Sequence, residues 1–166
     1  MKTVVVLSIL LCATLRLMLA VKKSVFFNQH NITVLLAARY NICPDGWFSY
    51  GSRCFMFVNS PMTWYSAEEH CNSVGANLAS VSNPREYSFL QQMAQTGGQS
   101  IAWLGGFNLQ GRWMWIDREG FYYTNWYSPS SSSSYACMFL RTTNGWGNSP
   151  CSSAYRFICS KNTFSC

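Results

Sequence analysis

Between Asn125 and Asn148 the chain gathers side chains that can hold a polar ligand but cannot transform one. The run Ser128-Pro129-Ser130-Ser131-Ser132-Ser133-Ser134 supplies hydroxyls, Asn144 and Asn148 supply amides, Arg141 a guanidinium, and Tyr127, Tyr135 and Trp146 aromatic faces. Such groups donate and accept hydrogen bonds, and the rings beside them can stack on a sugar or on a partner's apolar patch. A flexible surface loop has the same composition, so both readings stay open at this point. A mucin-like stalk fits less well, because such tracts are longer and this one lies inside a cysteine-framed region.

Catalysis lacks its parts. The two histidines are His30 and His70, and neither has a nucleophile at motif spacing, so no enzyme is expected. The six acids are Asp45, Glu68, Glu69, Glu86, Asp117 and Glu119, which leaves no carboxylate side chain from Gly120 to the last residue. Calcium takes six to eight oxygens, and neutral hydroxyls do not offset its dehydration as carboxylates do. The cysteines are spaced for bridges rather than for zinc, so neither metal nor cofactor is expected.

The formal charge of +6 suggests an anionic polymer as partner until its location is read. From Tyr40 onward seven Lys and Arg face six acids, and the excess sits at Lys2, Arg16, Lys22, Lys23 and Arg39. No basic face follows, and nucleic acid is excluded as a partner. Residues 1–20 read as a secretory signal, with cleavage after Ala20. A membrane anchor over Thr3 to Val21 is the rival reading, but Arg16 interrupts the apolar run. The expected product is secreted and extracellular, with no membrane anchor. Residues 21–42 form a short leader, where Asn31-Ile32-Thr33 offers Asn31 for glycosylation. Eight cysteines behind an export signal mean disulfides.

A domain over residues 43–166 has to position these groups. Only 11% of residues are charged and 16% are aromatic, which suits an ordered core. CPDGWFSYGSRCFMFV predicts two aromatic strands around Gly51-Ser52, a hairpin that would bring Cys43 and Cys54 together. In TWYSAEEHCNSVG, the positions Trp64, Ala67, Cys71 and Val74 make one helical stripe, with Gly75 suited to the C-terminal cap. After the brief extended run LASV, a second helix is predicted with Asn83 as N-cap, Pro84 at its first position and Glu86 reaching back in a capping box. Its buried stripe would be Phe89, Leu90, Met93 and Ala94. Beyond Gly97-Gly98 the period changes, and IAWLGGF, GRWMWID, YACMFL and YRFICS predict short strands, with Trp103, Trp113 and Trp115 in the core.

The order of landmarks resembles the C-type lectin-like domain over residues 43 to 159. They are CPDGW at 43–47, Cys71, NLAS at 77–80, WLGG at 103–106, WMWID at 113–117, TNW at 124–126, Cys137, Cys151 and FIC at 157–159. The resemblance implies an α+β fold with two helices, two small antiparallel sheets and a long loop region carrying the ligand site. It also implies the bridges Cys43–Cys54, Cys71–Cys159 and Cys137–Cys151, which cysteine counting alone leaves open. In calcium-dependent members, Glu-Pro-Asn or Gln-Pro-Asp after the Asn-Trp pair, and Trp-Asn-Asp further on, bind the ion that holds the sugar. The corresponding stretches are Ser128-Pro129-Ser130 and Trp146-Gly147-Asn148, so the metal chemistry is expected to be gone.

The lone domain and signal look like soluble fish lectins of the ladderlectin type and the related type II antifreeze proteins. The expected function is calcium-independent binding of carbohydrate or a microbial-surface glycan. Ice binding is the first alternative, suggested by Ser130 to Ser134 and Thr142-Thr143, and a protein-recognition module without sugar is the second. Loss of Cys12 with the signal leaves Cys166 as an odd cysteine, expected to join two chains in a homodimer.

Overall fold

The computed structural model describes residues 43–163. The expected signal, the expected leader with Asn31, and Cys166 lie outside the described residues. Ten elements follow in chain order: β1 Phe48–Tyr50, β2 Arg53–Met62, α1 Trp64–Ser73, β3 Asn77–Leu78, α2 Pro84–Thr96, β4 Ile101–Leu109, β5 Arg112–Trp115, β6 Cys137–Arg141, β7 Gly147–Ser149 and β8 Tyr155–Asn162. This is an α+β fold, with both predicted helices and each predicted strand run represented.

Local chemistry sets the helix ends. Thr63 caps α1 by accepting a hydrogen bond from the Ser66 amide. At the other end the Ala76 amide donates to the Cys71 carbonyl and the Gly75 amide to Asn72, closing a Schellman motif that needs positive φ at Gly75, here 68°. Val74 therefore becomes the C-cap and is 39% exposed, which removes it from the predicted buried stripe of Trp64, Ala67 and Cys71. On α2, Asn83 caps as predicted and Pro84 starts the helix. Glu86 reaches one residue further back than a capping box does, accepting from both the amide and the hydroxyl of Ser82. The buried face of α2 holds Glu86, Tyr87, Leu90, Met93 and Ala94, while Phe89 is half-buried at its edge.

The two expected antiparallel sheets are joined into one. The strand order is β1-β2-β8-β4-β6-β7, with β3 against β8 and β5 against β4. The junction is a single parallel pair, Trp103 beside Phe157. Two apolar clusters pack around the sheet, one with Phe55, Leu90, Leu104, Trp115, Met138 and Trp146, the other with Trp64, Leu78, Trp103, Phe139 and Phe157. Trp103 and Trp115 are core residues as expected, and Trp113 is partly buried against Trp126.

Three disulfides tie the elements, Cys43–Cys54, Cys71–Cys159 and Cys137–Cys151, which are the pairings the resemblance implies. Cys71–Cys159 spans 88 residues. By the chain-entropy argument a loop of that size contributes roughly 4 to 5 kcal/mol against the unfolded chain. A partly buried polar knot adds a second tie. Arg53 on β2 donates to Glu86 Oε1, Asp117 Oδ2, the carbonyl and hydroxyl of Ser80, and Ser160 Oγ. Ser80 Oγ also donates to Asp117, so the residue that opens the β5–β6 loop is anchored in the core.

Candidate functional site

The candidate surface is carried by the long connection from Ile116 to Ala136, between β5 and β6, and by the turn from Thr142 to Trp146 between β6 and β7. The two segments meet as a short parallel bridge. The Trp146 amide donates to the Asn125 carbonyl at 2.6 Å, and the Tyr127 amide to the Trp146 carbonyl at 2.8 Å. The approach is so close that a Cβ at position 145 would lie 2.1 Å from the Asn125 carbonyl oxygen, so glycine is required there. Beneath the bridge Trp146 is fully buried, with the rings of Trp115, Tyr123, Trp126, Phe121 and Tyr87 around it at 5.4 to 6.3 Å. Trp146 thus supports the loop from below and offers no face to a ligand; of the stacking and buried roles its sequence position left open, the fold takes burial. Its side chain cannot leave this nest without exposing apolar area that the cluster otherwise hides.

Above the nest, Asn148 on β7 closes the serine run. Its Oδ1 accepts from the Ser130 amide at 2.7 Å, and its Nδ2 donates to the carbonyls of Ser130 at 2.9 Å and Tyr135 at 2.7 Å. The carboxamide pairs with Ser130 as a neighbouring strand would and adds a third bond across the loop. All three bonds run to the loop backbone, so Asn148 positions the loop and its carboxamide is engaged there. The serines partly satisfy one another: Ser132 N donates to Ser130 Oγ, Ser132 and Ser134 hydroxyls lie 2.8 Å apart, and Tyr135 N donates to the Ser132 carbonyl. Ser128 takes a positive φ of 46°, uncommon for a residue with a Cβ, where the chain turns from the bridge into the run. Tyr127 is 49% exposed and Tyr135 38%, and they flank the serines at the two ends.

The turn after β6 is held by α2. Tyr87, Gln91 and Gln95 stand four residues apart, on one face of the helix. The Tyr87 hydroxyl lies 2.9 Å from the Arg141 carbonyl and 2.6 Å from that of Asn144, Gln91 Nε2 donates to Arg141, and Gln95 Nε2 donates to Thr142. Burial pushes the Tyr87 phenol up to about 12, because the phenolate would be desolvated. Burial raises the Tyr123 phenol as well. The Arg141 guanidinium lies over the rings of Phe139 at 5.1 Å and Tyr127 at 5.9 Å.

Of the sequence-predicted site residues, Tyr127, Ser128, Ser130, Tyr135, Arg141 and Asn148 come together in one contiguous patch. Asn144 sits beside them on the clamped turn, its carbonyl held by Tyr87. Tyr87, Gln91 and Gln95 were not anticipated, although their spacing of four along a helix was a readable signal. Tyr122 was also missed; it is 96% exposed in the long loop. Among the described residues no three His, Cys, Asp or Glu side chains are gathered as a metal site would need. No helix among them is long and apolar enough to cross a membrane.

Comparison with known proteins agrees with this architecture. The lectin C-type domain matches residues 60–161. This chain belongs to that family. Ladderlectin of Oncorhynchus mykiss is 46% identical over 134 residues, covering 72% of the chain and 70% of the relative. Galactose-specific lectin nattectin of Thalassophryne nattereri is 35% identical, covering 72% and 80%. Among solved structures, a calcium-independent type II antifreeze protein superposes with a TM-score of 0.68 at 31% identity, covering 74% of this chain and 96% of that one. The expectation that this C-type lectin-like protein is not an enzyme agrees with these relatives, which are lectins and an antifreeze protein.

Proposed function

We propose that this C-type lectin-like protein is a secreted lectin that binds carbohydrate, on a glycan or a microbial surface, without calcium. The observation that carries the reading is the Asn148 staple. In a metal-bound loop a cation gathers oxygen atoms; here an amide NH2 lies between two carbonyls, and a donor in that position repels a cation. The absence of any carboxylate side chain from Gly120 onward supports the same conclusion. Ligand contact then falls to the exposed rings of Tyr127 and Tyr135, to Ser128 and Ser130, and to Arg141, with Asn144 at the margin. A galactose-specific relative makes galactose the first sugar to test. Secretion with loss of residues 1–20, glycosylation at Asn31 and pairing of chains through Cys166 belong to the same proposal.

The test is retention on a galactose matrix in calcium and in chelator. Equal retention in both, reduced by Tyr135→Ala, is expected; retention abolished by chelator refutes the reading. Ice binding is the second reading, favoured by the solved antifreeze relative and by the uncharged hydroxyl-rich run. A gap between melting and freezing temperatures, with no sugar retained, would decide for ice.

A further inference from the structure

We propose that Arg141 makes the long-loop surface selective for acidic glycans, by anchoring a carboxylate or sulfate group of the sugar. The proposal rests on the lectin reading above and names its ligand class. Among the described residues the Arg141 guanidinium has no hydrogen-bond acceptor; its Nε is fully buried without a partner, so an anion would meet the two Nη groups and Nε–H would report it from behind. Both ion pairs of the described residues belong to Arg53, and no acid occurs in sequence beyond Glu119. Arg85, Arg112 and Arg118 also lack acceptors, but they are exposed and water solvates them. Arg141 is only half-exposed. It has given up part of its hydration and has received ring faces, but no anion, in exchange.

Its placement suits recognition. The backbone of Arg141 is fixed by the Tyr87 hydroxyl and by Gln91, so the side chain starts from a rigid point. Phe139 and Tyr127 flank the guanidinium, and side-chain contacts of this kind limit the entropy lost when a ligand binds. A planar fork of this kind matches two oxygens of a carboxylate or sulfate. Tyr127, half-exposed and in contact with the same guanidinium, is placed to stack on the ring that bears the anion. The neighbouring serine hydroxyls can take the sugar's own hydroxyls.

The experiment titrates the secreted chain with methyl glucuronide, galactose 6-sulfate, methyl galactoside and inorganic sulfate, following the Arg141 Nε–H signal by NMR. Both acidic sugars should shift that signal and bind about tenfold or more tightly than the neutral one, the size expected of charge-assisted hydrogen bonds. The advantage should vanish in Arg141→Gln, fall in Arg141→Lys, which keeps the charge but not the fork, and persist in Arg112→Gln. The two acidic sugars separate carboxylate from sulfate selectivity. Equal affinity for charged and neutral sugars, or an equal loss in Arg112→Gln, overturns the proposal and leaves the lectin reading intact. If no sugar binds but inorganic sulfate still shifts the Nε–H signal, the lectin reading fails and the anion subsite stands.

Discussion

Replacing Asn148 by Ala removes the staple of the serine loop and nothing from the core. Three hydrogen bonds go, at 2.7, 2.9 and 2.7 Å, and all three are partly solvent-accessible, so water can replace each one. At a net value of about 0.5 to 1 kcal/mol each, the closed loop loses roughly 1.5 to 3 kcal/mol relative to open forms. That corresponds to a ten- to hundredfold rise in the open population, on the order of one decade per 1.4 kcal/mol. Global stability should fall by less, because Trp146 and its ring neighbours remain packed when the loop opens. Amide exchange of Ser130 reads the effect directly, since its N–H is bonded to the side chain removed. Asn148→Asp sharpens the test. It keeps the acceptor for Ser130 but sets a carboxylate against the carbonyls of Ser130 and Tyr135, so at neutral pH it should open the loop more than Ala does. Millimolar calcium should partly restore that variant, whose oxygens a cation can gather, and should leave the wild type unchanged. Unchanged Ser130 protection in Asn148→Ala would refute the reasoning.

Two further outcomes follow from the buried polar groups. Arg53→Met should lower stability by roughly 3 kcal/mol in urea denaturation with disulfides intact, because Glu86 is left as a buried and Asp117 as a partly buried carboxylate without a counter-ion; a loss under about 1 kcal/mol would mean that water reaches the knot. The Tyr87 phenol titrates near 12 when folded and near its ordinary 10 when unfolded, so its stabilising effect is complete below pH 10 and is lost as pH rises towards 12. The stability difference between wild type and Tyr87→Phe should therefore shrink between pH 10 and pH 12, and a difference independent of pH would contradict the burial of the phenol.

The sequence by itself determined what acts over a few residues and what depends on composition. Asn83 and Pro84 start a helix because cap and amide lie three positions apart, and Gly75 ends one for the same local reason. The lack of acids beyond Glu119 argued against a calcium site before any fold was known. The tertiary structure decided everything carried by distant pairs. Arg53 meets Ser160 across 107 residues, and Asn148 meets Ser130 across 18, only because the strand order brings β2 beside β8 and β7 beneath the long loop. Trp146 reads in sequence as an aromatic beside a polar loop, equally fit for a ligand or a core. Its burial was fixed by five rings drawn from α2, β5 and the long loop, which no local spacing encodes. Arg141 likewise reads in sequence as a candidate ligand group that an ordinary solvent-facing arginine would resemble. Its half-buried charge without an ion pair arises because the sheet places it over Phe139 and Tyr127, and desolvation is a property of surroundings that only the folded chain creates.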